Sequence, residues 1–275
     1  MRAIRLIGSA ILKFNRDQGL FLASGIAFQA LLCLVPLALL VLSFAGTYLL
    51  SDDRAIEHFG KLLTRAAPAL DPAVRKNLLE IVSYRGASGI VGTIGLLWIA
   101  TTVFGWLRIA LNTIFGVTKG HSTLRGLALD LGMIVLSGVS FAVSIGLTSA
   151  SEYLRRTPSL ILPVATGRFF RLATSSLVPF LVTLATCSLI YTLVPNRRIR
   201  IRAALWGALV TGLLWEAAKH LFTWYVFAFG SYSVVYGSLG AAAVLLVWVY
   251  YSAAVLLLGA EVTALLDGVP ARTPP

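Results

Sequence analysis

Few side chains in this chain could do chemistry in an apolar setting, and they fall in two places. Glu216, Lys219 and His220 stand at i, i+3 and i+4 inside one long apolar run, so on a helix they share one face. Glu261 lies near the end of a second apolar run, in Leu258-Gly-Ala-Glu261. An ionisable group in hydrocarbon is costly and is retained for pairing or for a task. A carboxylate beside an ammonium and an imidazole can exchange protons or meet a cationic group. Glu216, Lys219 and His220 are therefore the candidates to line a cavity between helices, with Gln29, another polar residue inside an apolar run, on a facing wall. Glu261 falls at the level of the basic stretch Arg197-Arg-Ile-Arg-Ile-Arg202 and is expected to pair with one of those arginines or with Arg108. Arg198 and Arg200 of that stretch, Arg108, and Asn112 one turn beyond it complete the structural polar set. Arg108 is expected to extend to the headgroups, and Asp130 to lie at the interface.

Nothing in the chain marks an enzyme. The three histidines, His58, His121 and His220, are far apart and form neither H-x-H-x-D nor H-E-x-x-H, so no metal site is expected. A nucleophile elbow, a Walker A loop and a dinucleotide fingerprint are all absent from the sequence. No cofactor is expected. Cys33 and Cys187 both lie in apolar runs and read as small core residues.

The elements that would position these groups are membrane helices. Of 275 residues 58% are hydrophobic and only 12% charged, with mean hydropathy +0.86, about half the charge of a soluble domain. Six apolar runs, about 23–50, 89–116, 127–150, 171–194, 203–229 and 237–266, each reach the roughly 20 residues that cross a bilayer as a helix. The expected fold is all-α: a polytopic domain of six transmembrane helices over 23–266, followed by a short tail, 267–275. Residues 1–22 carry Ile4, Ile7, Ile11 and Phe14 at helical spacing between basic residues. They predict an amphipathic surface helix with its Arg and Lys towards water. The polar loop 51–88, with the N-capping pair Asp71-Pro72, predicts two short helices on the opposite, periplasmic surface. Pro36 should kink the first span, and Gly92 and Gly95 should let the second approach a neighbour closely. The segment Gly230-Ser-Tyr-Ser-Val-Val-Tyr-Gly237 predicts a turn between the last two spans, with Tyr232 and Tyr236 in an interfacial aromatic belt.

The net charge is +12, and in a membrane protein it points to anionic lipid headgroups at basic loops rather than to nucleic acid. An even number of spans puts both termini on one side. The arginines from Arg197 to Arg202, in a very short loop, make that side cytoplasmic. Stripes of small residues leave a homo-oligomer open.

Several segments carry a resemblance: Ala23-Ser-Gly-Ile-Ala-Phe28, Leu34-Val-Pro36, Leu107-Arg-Ile-Ala-Leu-Asn-Thr-Ile-Phe-Gly-Val117, Phe229-Gly-Ser-Tyr232, Tyr236-Gly-Ser-Leu-Gly240 and Leu258-Gly-Ala-Glu261. Together they resemble the YihY/virulence factor BrkB family of bacterial inner-membrane proteins, from about residue 5 to 266. Gln29 and Cys33 depart from the family pattern. Members were once labelled ribonuclease BN, and the lack of metal-ligand spacing argues against carrying that label over. The resemblance implies six transmembrane helices with cytoplasmic termini. It makes transport or lipid translocation the expected activity, with a structural or regulatory envelope protein as the alternative.

Overall fold

A computed structural model describes residues 2–48, 85–117, 123–156, 177–229 and 232–269, and every regular element among them is an α-helix. In chain order these are α1 (Arg2–Arg16), α2 (Gly19–Leu32), α3 (Leu34–Tyr48) and α4 (Arg85–Ile114). They are followed by α5 (Thr123–Arg156), α6 (Val178–Leu193), α7 (Ile201–Phe229) and α8 (Tyr232–Leu266). Among the described residues four segments are long and apolar enough to cross a membrane: Gly19–Leu40, Ile90–Ile114, Ile201–Trp224 and Ala243–Leu266. Gly126–Ser140 and Val178–Leu193 are shorter apolar helices. Ile90, Ile94 and Trp98 on α4, Val135 and Val139 on α5, and Leu213, Leu221 and Trp224 on α7 all point outward. Apolar surface on that scale requires lipid around it.

Helix boundaries follow local chemistry. The first helix ends at Arg16, earlier than residue 22, because Gln18 takes a left-handed conformation at φ 55° and turns the chain into α2. A side chain on Gly19 would strike the Phe14 ring, so the turn closes tightly only with glycine there. One turn before Pro36 the helix is interrupted, where α2 gives way to α3 at Cys33. Proline has no N–H to give the preceding turn, and its ring crowds that carbonyl. Beyond the interruption, Gly92 packs against the Leu40 backbone and Gly95 against Pro36, as their small size suggested.

The expected turn before the last span is shorter than 230–237. Gly230 and Ser231 lie outside the described residues, but α8 begins at Tyr232 and runs through Tyr236 and Gly237. Backbone groups near lipid must bond internally, which keeps glycine and serine helical where water would release them. Of the loop 51–88 expected to hold two short helices, 51–84 lies outside the described residues and 85–88 opens α4; 171–176 and the tail from 270 lie outside them as well.

The last helix is the axis of the bundle, packing against α7, α2, α1, α4 and α6. Apart from Glu261 and Thr263 its final turns are small or apolar, and Leu257, Ala260, Val262 and Ala264 are fully buried there.

Candidate functional site

Helices α4 and α8 stop side by side. Gly116 (φ 66°) and Gly268 (φ 78°) each take the left-handed position after the helix. In α4, Gly116 N–H donates to Thr113 and Val117 N–H to Asn112; in α8, Gly268 donates to Leu265 and Val269 to Ala264. Both are Schellman stops, which satisfy two of the last carbonyls of each helix and leave others to find partners.

One of those others is the Ile114 carbonyl, and its partner is Lys13 of α1. The Lys13 ammonium donates to Ile114 O at 2.8 Å, to Asp17 Oδ2 at 2.7 Å and to Glu261 Oε2 at 2.7 Å. A cation here also meets the negative end of the α4 dipole. Lys13 is 3% exposed and Glu261 0%. The arrangement differs from the sequence expectation in two ways. Lys13 turns into the bundle rather than to water, while Ile7 and Ile11 of α1 are exposed. Glu261 pairs with Lys13 and not with an arginine. The physical reason is access: α1 lies directly over the end of α8, whereas Arg200 is held at Asp267 Oδ1 (3.0 Å) and Leu266 O (2.8 Å). Arg197 also reaches Asp267, at 3.9 Å, and Arg198 is exposed.

Glu261 is placed by a repeated pentapeptide. Gly207-Ala-Leu-Val-Thr211 on α7 and Gly259-Ala-Glu-Val-Thr263 on α8 cross so that each glycine faces the other segment's threonine. A Cβ on Gly207 would collide with Thr263 Oγ1, and one on Gly259 with Thr211 Oγ1. Each threonine hydroxyl donates back to its own glycine carbonyl at 3.0 Å, which keeps the polar atoms satisfied in the contact. The Tyr191 hydroxyl of α6 donates to Leu256 O at 2.6 Å and lies 2.7 Å from Thr211 Oγ1, joining three helices. Leu209 and Glu261 hold the same place in the repeat, so one helix has an acid where the other has a leucine.

Elsewhere the polar residues form local pairs. Arg108 meets Asp130 at 3.1 Å, and Asp130 is buried. Asn112 Oδ1 accepts the Asn196 N–H at 2.9 Å, tying α4 to the segment after α6. Lys219 donates to Glu216 Oε1 at 2.7 Å, both side chains part-exposed, and His220 is exposed on the same helix. Gln29 Oε1 accepts from Thr102 at 3.3 Å. The structure thus joins Glu216 to Lys219 and leaves Gln29 with a different neighbour.

A groove of about 450 Å³ opens between α2, α5, α6, α7 and α8. Its walls are mainly apolar, with Ile26, Val182, Trp215 and Leu256, and carry the hydroxyls of Ser140, Thr183, Thr186, Thr211 and Ser252. Ser140 and Thr186 bond each other at 3.0 Å across α5 and α6. Glu216, Lys219, His220 and Gln29 are not among its lining residues.

Residues 10–274 match the family described as Virulence factor BrkB. The chain belongs to that family. Among curated relatives, a UPF0761 membrane protein of Haemophilus influenzae is 26% identical over 94% of this chain and 93% of its own length. One from Mannheimia succiniciproducens is 29% identical over 92% and 86%. One from Chlorobium chlorochromatii is 31% identical over 93% of this chain but 58% of its own length. No solved structure matches. This BrkB-family chain is thus a membrane protein, and the Leu258-to-Glu261 segment noted for its resemblance supplies the buried acid of the ion cluster.

Sequence reading missed Lys13 and Asp17 because they sit in an amphipathic helix where charge is ordinary. The Gly-Ala-x-Val-Thr repeat was visible in the sequence and marks the crossing directly.

Proposed function

We propose that this protein moves an amphipathic, lipid-like substrate along the groove between α2 and α5–α8, in the bacterial cytoplasmic membrane. The observation that carries this reading is the groove's lining: apolar walls for an acyl chain and a row of hydroxyls for a polar part. A wall of this kind suits a lipid better than a bare ion, which needs charged or carbonyl ligands. Substrate contact therefore falls to Ser140, Thr186 and Ser252 rather than to the Glu216–Lys219 pair. In this reading six helices cross the bilayer, both termini are cytoplasmic, anionic headgroups meet the arginines from Arg197 to Arg202, and the chain catalyses no covalent chemistry.

One observation favours the alternative of a structural protein without substrate. Thr183 donates to Pro179 O and Ser252 to Trp248 O, so part of the hydroxyl row is already satisfied within its own helices.

The readings separate in liposomes carrying fluorescent phospholipids. Wild type should exchange labelled lipid between leaflets, and Ser252→Phe, which fills the groove, should slow exchange at least about tenfold, a barrier increase of about 1.4 kcal/mol. Thermal midpoint serves as the folding control. Folded wild-type protein that moves no tested phospholipid would sink the translocase reading.

A further inference from the structure

The ion cluster under α1 is out of balance. Lys13 supplies one positive charge, while Asp17 and Glu261 both bind it, so their nearest oxygens can be no more than twice one bond length apart. The three ammonium protons are all engaged, by Asp17, Glu261 and the Ile114 carbonyl. That leaves Glu261 Oε1 buried and without a hydrogen-bond partner. This oxygen has no solvent-accessible surface, so bulk water does not reach it.

Among the described residues, no other charged side chain pairs with Asp17 or Glu261 to correct the count. The last turn of α4 offers a carbonyl but no charged side chain. The buried side chains of α2 include Leu22, Ala23 and Ile26, those of α7 Ala204 and Ala208, and those of α6 Tyr191 and Val194, none of them charged. Asp267, the other acid at this end of α8, is engaged by Arg200 and Arg197. A net negative charge buried among such groups is strongly disfavoured, and one proton held between the two carboxyl groups cancels it.

We propose that Lys13, Asp17 and Glu261 form a binding site for one proton, shared by the two carboxyl groups and taken up from the aqueous face that carries α1. The bound proton brings the cluster to neutrality and holds α1 against the end of α8. When α1 lifts, both carboxyls reach water and ionise. The docked form thus binds one more proton than the undocked form, and docking weakens as pH rises, by about tenfold in the opening constant per pH unit while the site titrates. This holds whether or not the groove carries lipid.

Isotope-edited infrared spectra of the full chain in nanodiscs, with Asp and Glu carboxyl carbons labelled, test the site directly. At neutral pH the wild type should show a protonated-carboxyl band that disappears on alkalinisation. Glu261→Gln and Asp17→Asn should each remove it, because either change leaves one carboxylate for one ammonium. Thermal melts add a second readout: the wild-type midpoint falls from neutral to alkaline pH, and each amide variant flattens that fall. If Glu261→Gln does not fold, Asp17→Asn carries both measurements. Absence of the band in neutral wild type, or a band and a pH slope that survive the substitutions, overturns the proposal.

Discussion

Lys13 shows how one side chain can decide where a helix sits. Its stem runs inward with Ala10 and Phe14, and its ammonium finds three acceptors in a space that excludes solvent. Removing one partner of a buried ion pair leaves the other without compensation, at a cost of about 3–5 kcal/mol. Lys13→Met should therefore lower stability by about that amount, read as a fall in thermal midpoint. Adding Glu261→Gln should recover part of the loss, since it removes one of the stranded carboxylates. A Lys13→Met protein that melts like wild type would show that the ammonium does not hold α1. The effect was not legible beforehand, because Lys at a helical spacing between isoleucines reads equally well as the water-facing side of an interfacial helix.

At the scale of elements, the α7–α8 crossing depends on two missing side chains. Gly259 meets Thr211 Oγ1 and the Tyr191 hydroxyl, while Gly207 meets Thr263. Gly259→Ala inserts a methyl group where there is no space, and overpacking of this kind costs about 1–3 kcal/mol. Thr211→Ala removes the atom that the new methyl would strike. The double variant should therefore melt closer to wild type than Gly259→Ala alone. Two penalties that simply add would mean that the two residues are not in contact. The close approach of α3 and α4 at Gly92 and Pro36 follows the same logic, and there the sequence disclosed it. Small residues within an apolar run announce a contact but do not name the partner.

For the whole molecule, the ion cluster, both Schellman stops and the arginines near α7 gather at one end of the bundle. Single cysteines at Ser9 of α1 and at Arg198, both exposed, test this in a Cys33→Ala/Cys187→Ala background. Both sites should react with a membrane-impermeant maleimide from the cytoplasmic side only. Labelling from opposite sides would break the shared face, and labelling of both from outside would reverse the orientation.

The sequence by itself determined that this is a helical membrane protein, roughly where its apolar helices run, and its family. Those properties follow from composition, run length and short motifs, each carried by neighbouring residues. What it could not determine was which polar groups meet. Lys13 and Glu261 are far apart in the chain, and so are Arg108 and Asp130, and a period of 3.6 residues fixes the face of a helix but not what faces it. The partner of Glu261 came from the way α1 folds back over the ends of α4 and α8. The candidate substrate path likewise moved from the charged face of α7 to hydroxyls on three helices, α5, α6 and α8, because a groove exists only where separate surfaces fail to close.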